Sequence, residues 1–295
     1  MSDELPAVWV NGERQPPDGF HVSSRDRGLT LADGVFETMR AYGGTVFRLD
    51  RHLARLAQSL TGFEIPAPPK LHDWMREAVR AAGRRDASVR LTVTRGIGPA
   101  GVPPPDNPRP TVIVAVNPLP VFPAGIYDVG LTAHVASGRR NERAMTAGLK
   151  TLAYADAVAG WLEARRAGAD EALFLDLEDH CSEATSSNLF VWTDRSTLLT
   201  PPVSCGALPG VTRGAVLELA RARGMPGAER AFGLDELLAG KEAFLTSSLR
   251  EIAPLVRVGA QPIGRGMPGS ITREITAAYA ALVAQECAES AARDR

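Results

Sequence analysis

Over the first 117 residues, short runs of alternating or clustered apolar residues are separated by two stretches with helical spacing. Residues 7–11 and 34–42 read as strands, 51–60 and 71–82 as helices, and 90–95 and 111–116 as further sheet strands. Pro118 then opens Pro-Leu-Pro-Val-Phe-Pro-Ala-Gly, a segment rich in chain breakers between two patterned blocks. Beyond it, 131–135 reads as a strand. Residues 151–167 carry Leu152, Ala155, Val158, Ala159 and Leu162 at helical spacing, which predicts an amphipathic helix with these positions on its apolar face. Short strands are expected at 171–176, 188–193, 197–200 and 242–246, and amphipathic helices at 211–223 and 270–288. The expected class is α+β in two domains: 1–118, a linker at 119–125, and 126–295.

Composition narrows the function. The 295 residues hold 33 Lys plus Arg against 34 Asp plus Glu, so net charge offers no attraction for nucleic acid or a membrane surface. Small-molecule partners are expected instead. Met1-Ser2-Asp3-Glu4-Leu5-Pro6 lacks the basic and apolar regions of a secretory leader, and no apolar run reaches membrane-span length, so a cytoplasmic location is expected. Cys181, Cys205 and Cys287 lack metal-like spacing and read as reduced thiols. The five histidines form no ligand pattern, and no metal site is expected.

Lys150 stands out because the chain has only three lysines, Lys70, Lys150 and Lys241, and makes its positive charge with arginine. It lies in Gly148-Leu149-Lys150-Thr151-Leu152, with no acidic residue until Asp156. Loss of hydration there favours the neutral amine that attacks carbonyl carbon, a Schiff-base candidate. A solvated lysine at a helix start fits the same local pattern.

Downstream motifs decide between them. Ser182-Glu183-Ala184-Thr185-Ser186-Ser187-Asn188-Leu189-Phe190 enters a strand, Leu198-Leu199-Thr200 follows, and Leu208-Pro209-Gly210-Val211-Thr212-Arg213 opens a helix. In this order and at these separations they resemble the class IV family of pyridoxal-phosphate enzymes, which contains branched-chain and D-amino-acid transaminases and aminodeoxychorismate lyase. Asp33-Gly34-Val35-Phe36-Glu37-Thr38 is similar to the family's opening strand, and Leu49 to Leu56 to the helix after it. Leu245-Thr246-Ser247-Ser248-Leu249-Arg250-Glu251-Ile252 also falls in place.

The resemblance implies a D-amino-acid-aminotransferase-like fold, with a small N-terminal α/β domain and a larger C-terminal domain built on a β-barrel-like sheet. It also implies a homodimer and pyridoxal 5'-phosphate as cofactor. Lys150 would hold the cofactor as a Schiff base and then move the substrate proton. Glu183 would keep the pyridine nitrogen protonated, with Asn188 closing the turn behind it. Leu208 would pack on the ring. Gly210, Val211 and Thr212 would offer backbone N–H groups and a hydroxyl to the phosphate, joined by Arg55, Ser247 and Ser248. Taken singly, Thr212 also reads as a helix-cap residue, Arg55 as a solvated helix position and Leu208 as core.

Phe36 and Thr38 match positions beside the substrate, and Arg95 or Arg250 is a candidate for its carboxylate. The family's D-amino-acid transaminases carry Arg-x-His after Thr-Arg-Gly; here Ala100-Gly101-Val102 stands in that place. The implied reaction is amino transfer from a small amino acid, D-alanine foremost, to pyruvate or 2-oxoglutarate. Formation of 4-aminobenzoate and pyruvate by an aminodeoxychorismate lyase is the alternative.

Overall fold

Alternation over residues 37–42 separates two environments. Val35, Glu37, Met39 and Ala41 are fully buried, whereas Thr38, Arg40 and Tyr42 keep some exposure on the opposite side of the strand. A computed structural model describes residues 6–16, 19, 21–123 and 125–293. The leader expectation rests on residues 1–6, of which 1–5 lie outside the described residues. By contact the chain forms two units. One holds the described residues up to Val121, with Leu149–Ala153 and the stretch from Val283; the other holds Phe122–Gly148 and Tyr154–Leu282. The break lies between Val121 and Phe122, but the units are not contiguous in sequence as 1–118 and 126–295 would have them.

The first unit contains β1 (Ala7–Val10), β2 (Glu13–Gln15), α1 (Arg27–Leu31), β3 (Gly34–Tyr42), β4 (Thr45–Val46), α2 (Leu49–Gly62), α3 (Leu71–Ala82), β5 (Ala87–Thr94) and β6 (Thr111–Asn117). Its sheet is antiparallel throughout, in the order β2-β1-β6-β5-β3-β4. Leu56 and Leu60 of α2, with Met75 and Val79 of α3, pack on Val35, Met39, Val89, Leu91 and Val114 in one core. Each such side chain, removed from water, contributes about 1.5–3 kcal/mol.

The second unit contains α4 (Ile126–Val129), β7 (Leu131–Arg139), α5 (Ala155–Arg166), β8 (Glu171–Leu175), β9 (Cys181–Ala184), β10 (Asn188–Trp192) and β11 (Leu198–Thr200). After a 3-10 turn (Val203–Cys205) come α6 (Val211–Ala222), β12 (Gly227–Glu229), α7 (Leu234–Leu238), β13 (Glu242–Ser247), β14 (Glu251–Val258) and β15 (Gln261–Pro262). Helix α8 (Ser270–Arg293) ends the described chain. Strands run β10-β13-β14-β7-β8-β9, and β9 pairs back onto β10, so six strands close into a barrel-like ring. The closing pair is Glu183 opposite Asn188.

Two expectations are corrected. The helix read over 151–167 begins only at Ala155, because Thr151 bridges Val35 and Leu152 N donates to Gly34 O, which fixes this segment along β3 in extended form. Its buried face is also different: Ala157, Gly160 and Ala164 face inward, while Val158, Trp161 and Leu162 are exposed. Proximity of Phe174 on β8 explains this, since a Cβ on Gly160 would lie 2.5 Å from the ring. Only the smallest side chains fit there.

Candidate active site

In the first unit Lys150 is held by its backbone on both sides. Its N–H donates to Ser59 Oγ at 3.0 Å, and its carbonyl accepts from Phe36 N at 3.0 Å. The half-buried side chain reaches over Phe36, with Nζ 4.4 Å from the ring centroid; the Arg90 guanidinium lies 3.8 Å from the same centroid. Phe36, Thr38 and Arg40 share the β3 face that looks away from α2 and α3, as their parity predicts.

Arg55 projects from α2 onto the other face of β3, onto Glu37. Its Nε and Nη2 donate to the two carboxylate oxygens at 2.7 and 2.6 Å, and His52 Nδ1 lies 2.7 Å from Oε2. Burial would raise the Glu37 pKa, but hydrogen bonds from Arg55 and His52 override it and hold the group at about 2. Burial pushes His52 down, against the opposing pull of Glu37. The family resemblance gave Arg55 to the cofactor phosphate and did not reveal its carboxylate partner.

Arg95 is not placed as expected. Its Nε donates to Asp33 Oδ2 at 2.8 Å, Nη1 to Glu64 O at 3.0 Å and Nη2 to Phe63 O at 2.7 Å, so the guanidinium clasps the end of α2. Arg27 takes the same Asp33 oxygen at 2.7 Å and holds the loop carbonyls of Gly101, Val102 and Pro103. Despite burial, these two arginines keep the Asp33 carboxyl below its ordinary range.

In the second unit the predicted motif becomes one connected structure. Glu183 Oε2 accepts Leu208 N at 3.0 Å and Asn188 Nδ2 at 3.3 Å, and the same amide donates to Leu208 O at 2.8 Å. Gly210 follows at the start of α6, where a Cβ would stand 2.0 Å from Asn188 Oδ1; glycine is required by that close approach. Thr212 is buried in the first turn, and no side chain caps this helix start. Arg213 donates to Thr200 Oγ1, Pro201 O and Glu229, which binds the Leu-x-Thr strand to the helix. Arg140, which sequence reasoning missed, sets Nε 3.4 Å from Glu183 Oε1 and stacks on Phe174. Separation of 43 positions hid that pair from any local pattern.

Ser247 and Ser248 stand where β13 turns into β14, with Ser247 Oγ accepting from Arg250 N at 3.2 Å. The hydroxyl of neighbouring Thr246 is buried without a hydrogen-bond partner. Arg250 Nη1 donates to buried Glu171 Oε2 at 2.9 Å. Thr185 donates to the other oxygen of Glu171. The fold also gathers Asp176, His180 and Cys205, with one ligand atom of each within 4.8 Å of the others. Their spacing in sequence carries no such signal.

The donor chemistry fits pyridoxal phosphate group by group. Within the first unit Lys150 would offer an amine for the aldehyde; within the second, Glu183 would offer a buried carboxylate for a protonated pyridine nitrogen, and the uncapped start of α6 and the orphaned Thr246 hydroxyl of β13 would each suit an anion. The family model described as amino-transferase class IV matches residues 34–258. A protein of Methanocaldococcus jannaschii, provisionally assigned as a branched-chain-amino-acid aminotransferase, is 34% identical over 91% of this chain and 93% of its own. The D-alanine aminotransferase of Bacillus licheniformis is 32% identical over 96% and 99%. The crystal structure of 4-amino-4-deoxychorismate lyase from Pseudomonas aeruginosa superposes with a TM-score of 0.80 at 32% identity, covering 91% of this chain and 96% of that one.

Proposed function

The chain belongs to the class IV aminotransferases, enzymes that use pyridoxal phosphate, and we propose that it moves an amino group from a small amino acid, D-alanine foremost, to pyruvate or 2-oxoglutarate. The observation that carries this is Lys150, clamped by its own N–H and carbonyl while Nζ extends over Phe36. Lys150, Glu183, Leu208, Gly210, Val211, Thr212, Ser247, Ser248 and Arg55 are the residues that would hold the cofactor. Bound, it supplies an electron sink for the substrate's Cα. Lys150 Nζ would take the proton from the substrate's Cα and deliver it to the cofactor's C4′. Glu183, anchored by Leu208 N and Asn188, would hold a proton at the pyridine nitrogen. Phe36 and Thr38 would border the substrate, on the β3 face over which Lys150 reaches.

The D-alanine preference is supported by the Thr246-Ser247-Ser248 and Gly210-Val211-Thr212-Arg213 segments and by the Bacillus relative. A second reading, cleavage of aminodeoxychorismate to 4-aminobenzoate and pyruvate, is favoured by the likeness to the Pseudomonas lyase. The holoenzyme mixed with D-alanine separates them. Loss of the visible cofactor band, restored by a 2-oxo acid, supports transamination with this donor. An unchanged band, with pyruvate released from aminodeoxychorismate, supports the lyase; a response to L-leucine but not D-alanine reverses the stereochemical preference. The working form is taken to be a cytoplasmic homodimer, for which exposed Val158, Trp161 and Leu162 offer apolar surface. No helix among the described residues is long and apolar enough to cross a membrane.

A further inference from the structure

The connection between β8 and β9 carries a set of ligand atoms that amino transfer does not use. Asp176, 3% exposed, is fixed by backbone donors: its Oδ1 accepts Glu178 N at 3.0 Å and His180 N at 2.8 Å. Its Oδ2 lies 3.3 Å from His180 Nδ1, and the Cys205 sulfur stands within 4.8 Å of the carboxylate and imidazole ligand atoms. Cys205 is 4% exposed in the 3-10 turn, while the His180 ring is about a third open to solvent. Glu142 and Glu178 add negative charge that reaches Cys205. Arg143 balances part of it, with Nη2 3.0 Å from Glu178 and Nε 3.5 Å from Glu142.

We propose that Asp176, His180 and Cys205 form a zinc site, with water as the fourth ligand on the exposed side of His180. Zinc accepts this mixture of oxygen, nitrogen and sulfur, at about 2.0–2.2 Å from oxygen or nitrogen and about 2.3 Å from sulfur. Tetrahedral bonds of those lengths put ligand atoms roughly 3.3–3.7 Å apart, so atoms already within 4.8 Å close on the ion through side-chain rotation. The thiol proton of Cys205 leaves to solvent as the sulfur lone pair binds the cation; nothing is oxidised. One face of the site is reachable through His180, so the ion enters without opening the barrel.

The consequence lies in what these residues adjoin. Cys205 heads the run Cys205-Gly206-Ala207-Leu208, and Leu208 N donates to Glu183. Asp176 and His180 lie in the turn that feeds β9, which carries Glu183. Zinc therefore staples together the two segments that hold that carboxylate, a stabilising role separate from the chemistry at Lys150.

Chelator-treated holoenzyme titrated with zinc chloride in a calorimeter tests the site, with X-ray absorption at the zinc edge reading the ligands. The expected result is one equivalent bound and a single sulfur scatterer at about 2.3 Å. Cys205→Ser should lose that sulfur shell, His180→Asn should bind at least tenfold more weakly, and Cys181→Ser should bind as the parent does. No stoichiometric binding, a zinc shell without sulfur, or equal affinity in parent and His180→Asn overturns the proposal. His180 is accessible enough for its variant to fold, and the visible cofactor band with circular dichroism checks that it has. If Cys205→Ser does not fold, His180→Asn and the parent's sulfur shell decide.

Discussion

Asn188 and Glu183 face each other across the pairing that closes the six-stranded ring, with Asn188 Nδ2 donating to Glu183 Oε2 at 3.3 Å. The same amide donates to Leu208 O at 2.8 Å, so one side chain joins the ring closure, the buried carboxylate and the turn into α6. Asn188→Ala leaves Leu208 O without that donor and Glu183 with fewer partners. Loss of a buried partner costs about 1–3 kcal/mol. The variant should melt earlier and bind pyridoxal phosphate at least tenfold more weakly, as a cofactor titration would measure. Unchanged affinity would show that Asn188 does not support Glu183.

Glu37 links pH to stability. Its pKa falls from 4.5 in the unfolded chain to about 2 in the fold, a difference worth on the order of 3 kcal/mol. The carboxylate's stabilisation is therefore complete above about pH 4.5 and is lost as pH falls toward 2. Glu37→Gln should be less stable than the parent at pH 7, and that gap should narrow at pH 3. Denaturant titrations of both proteins at the two pH values measure it; a gap that widens toward acid would reverse the assignment.

Arg95 has been placed on Asp33 and on the carbonyls that end α2. Arg95→Ala should lose about 3–5 kcal/mol, as when one member of a buried ion pair is removed. Its KM for the amino donor should stay within about twofold, since the change acts through stability. A raised KM with an unchanged melting temperature would instead return Arg95 to the substrate.

Gly160 reports on the corrected face of α5. Alanine is the better helix former by about 1 kcal/mol, yet its methyl group would meet the Phe174 ring at 2.5 Å. Overpacking of this kind costs about 1–3 kcal/mol, so Gly160→Ala should be destabilised in denaturant titration. Phe174→Leu in the same chain should recover part of the loss.

Much of the fold was legible because its pattern is local. Strand 34–42 and helix 71–82 emerge as β3 and α3 with the expected bounds, since their periodicity and breakers act within the element. Residues 151–154 misled because Leu152 sits in phase with the helix beyond it, while its backbone is claimed by Gly34 far away in sequence. Strand β14 gave no clear signal with Pro254 in its middle, and β9 is short and carries Ser182 and Glu183. At the candidate site, Lys150, Glu183 and Asn188 stood out through ordered motifs. The partners Glu37, Arg140 and Glu171 did not, because pairing across a fold leaves no trace in spacing. The carboxylate partners of Arg95 and Arg250 were hidden for the same reason, lying 62 and 79 positions away.

The claim on which the account rests is that Lys150 carries the cofactor. Three lysines in the whole chain make this decisive to measure. Borohydride reduction of the holoenzyme, proteolysis and mass spectrometry should find the phosphopyridoxyl group on the peptide containing Lys150, and Lys150→Ala should yield no adduct and no turnover. An adduct on Lys70 or Lys241, or substantial turnover by Lys150→Ala, would contradict the account.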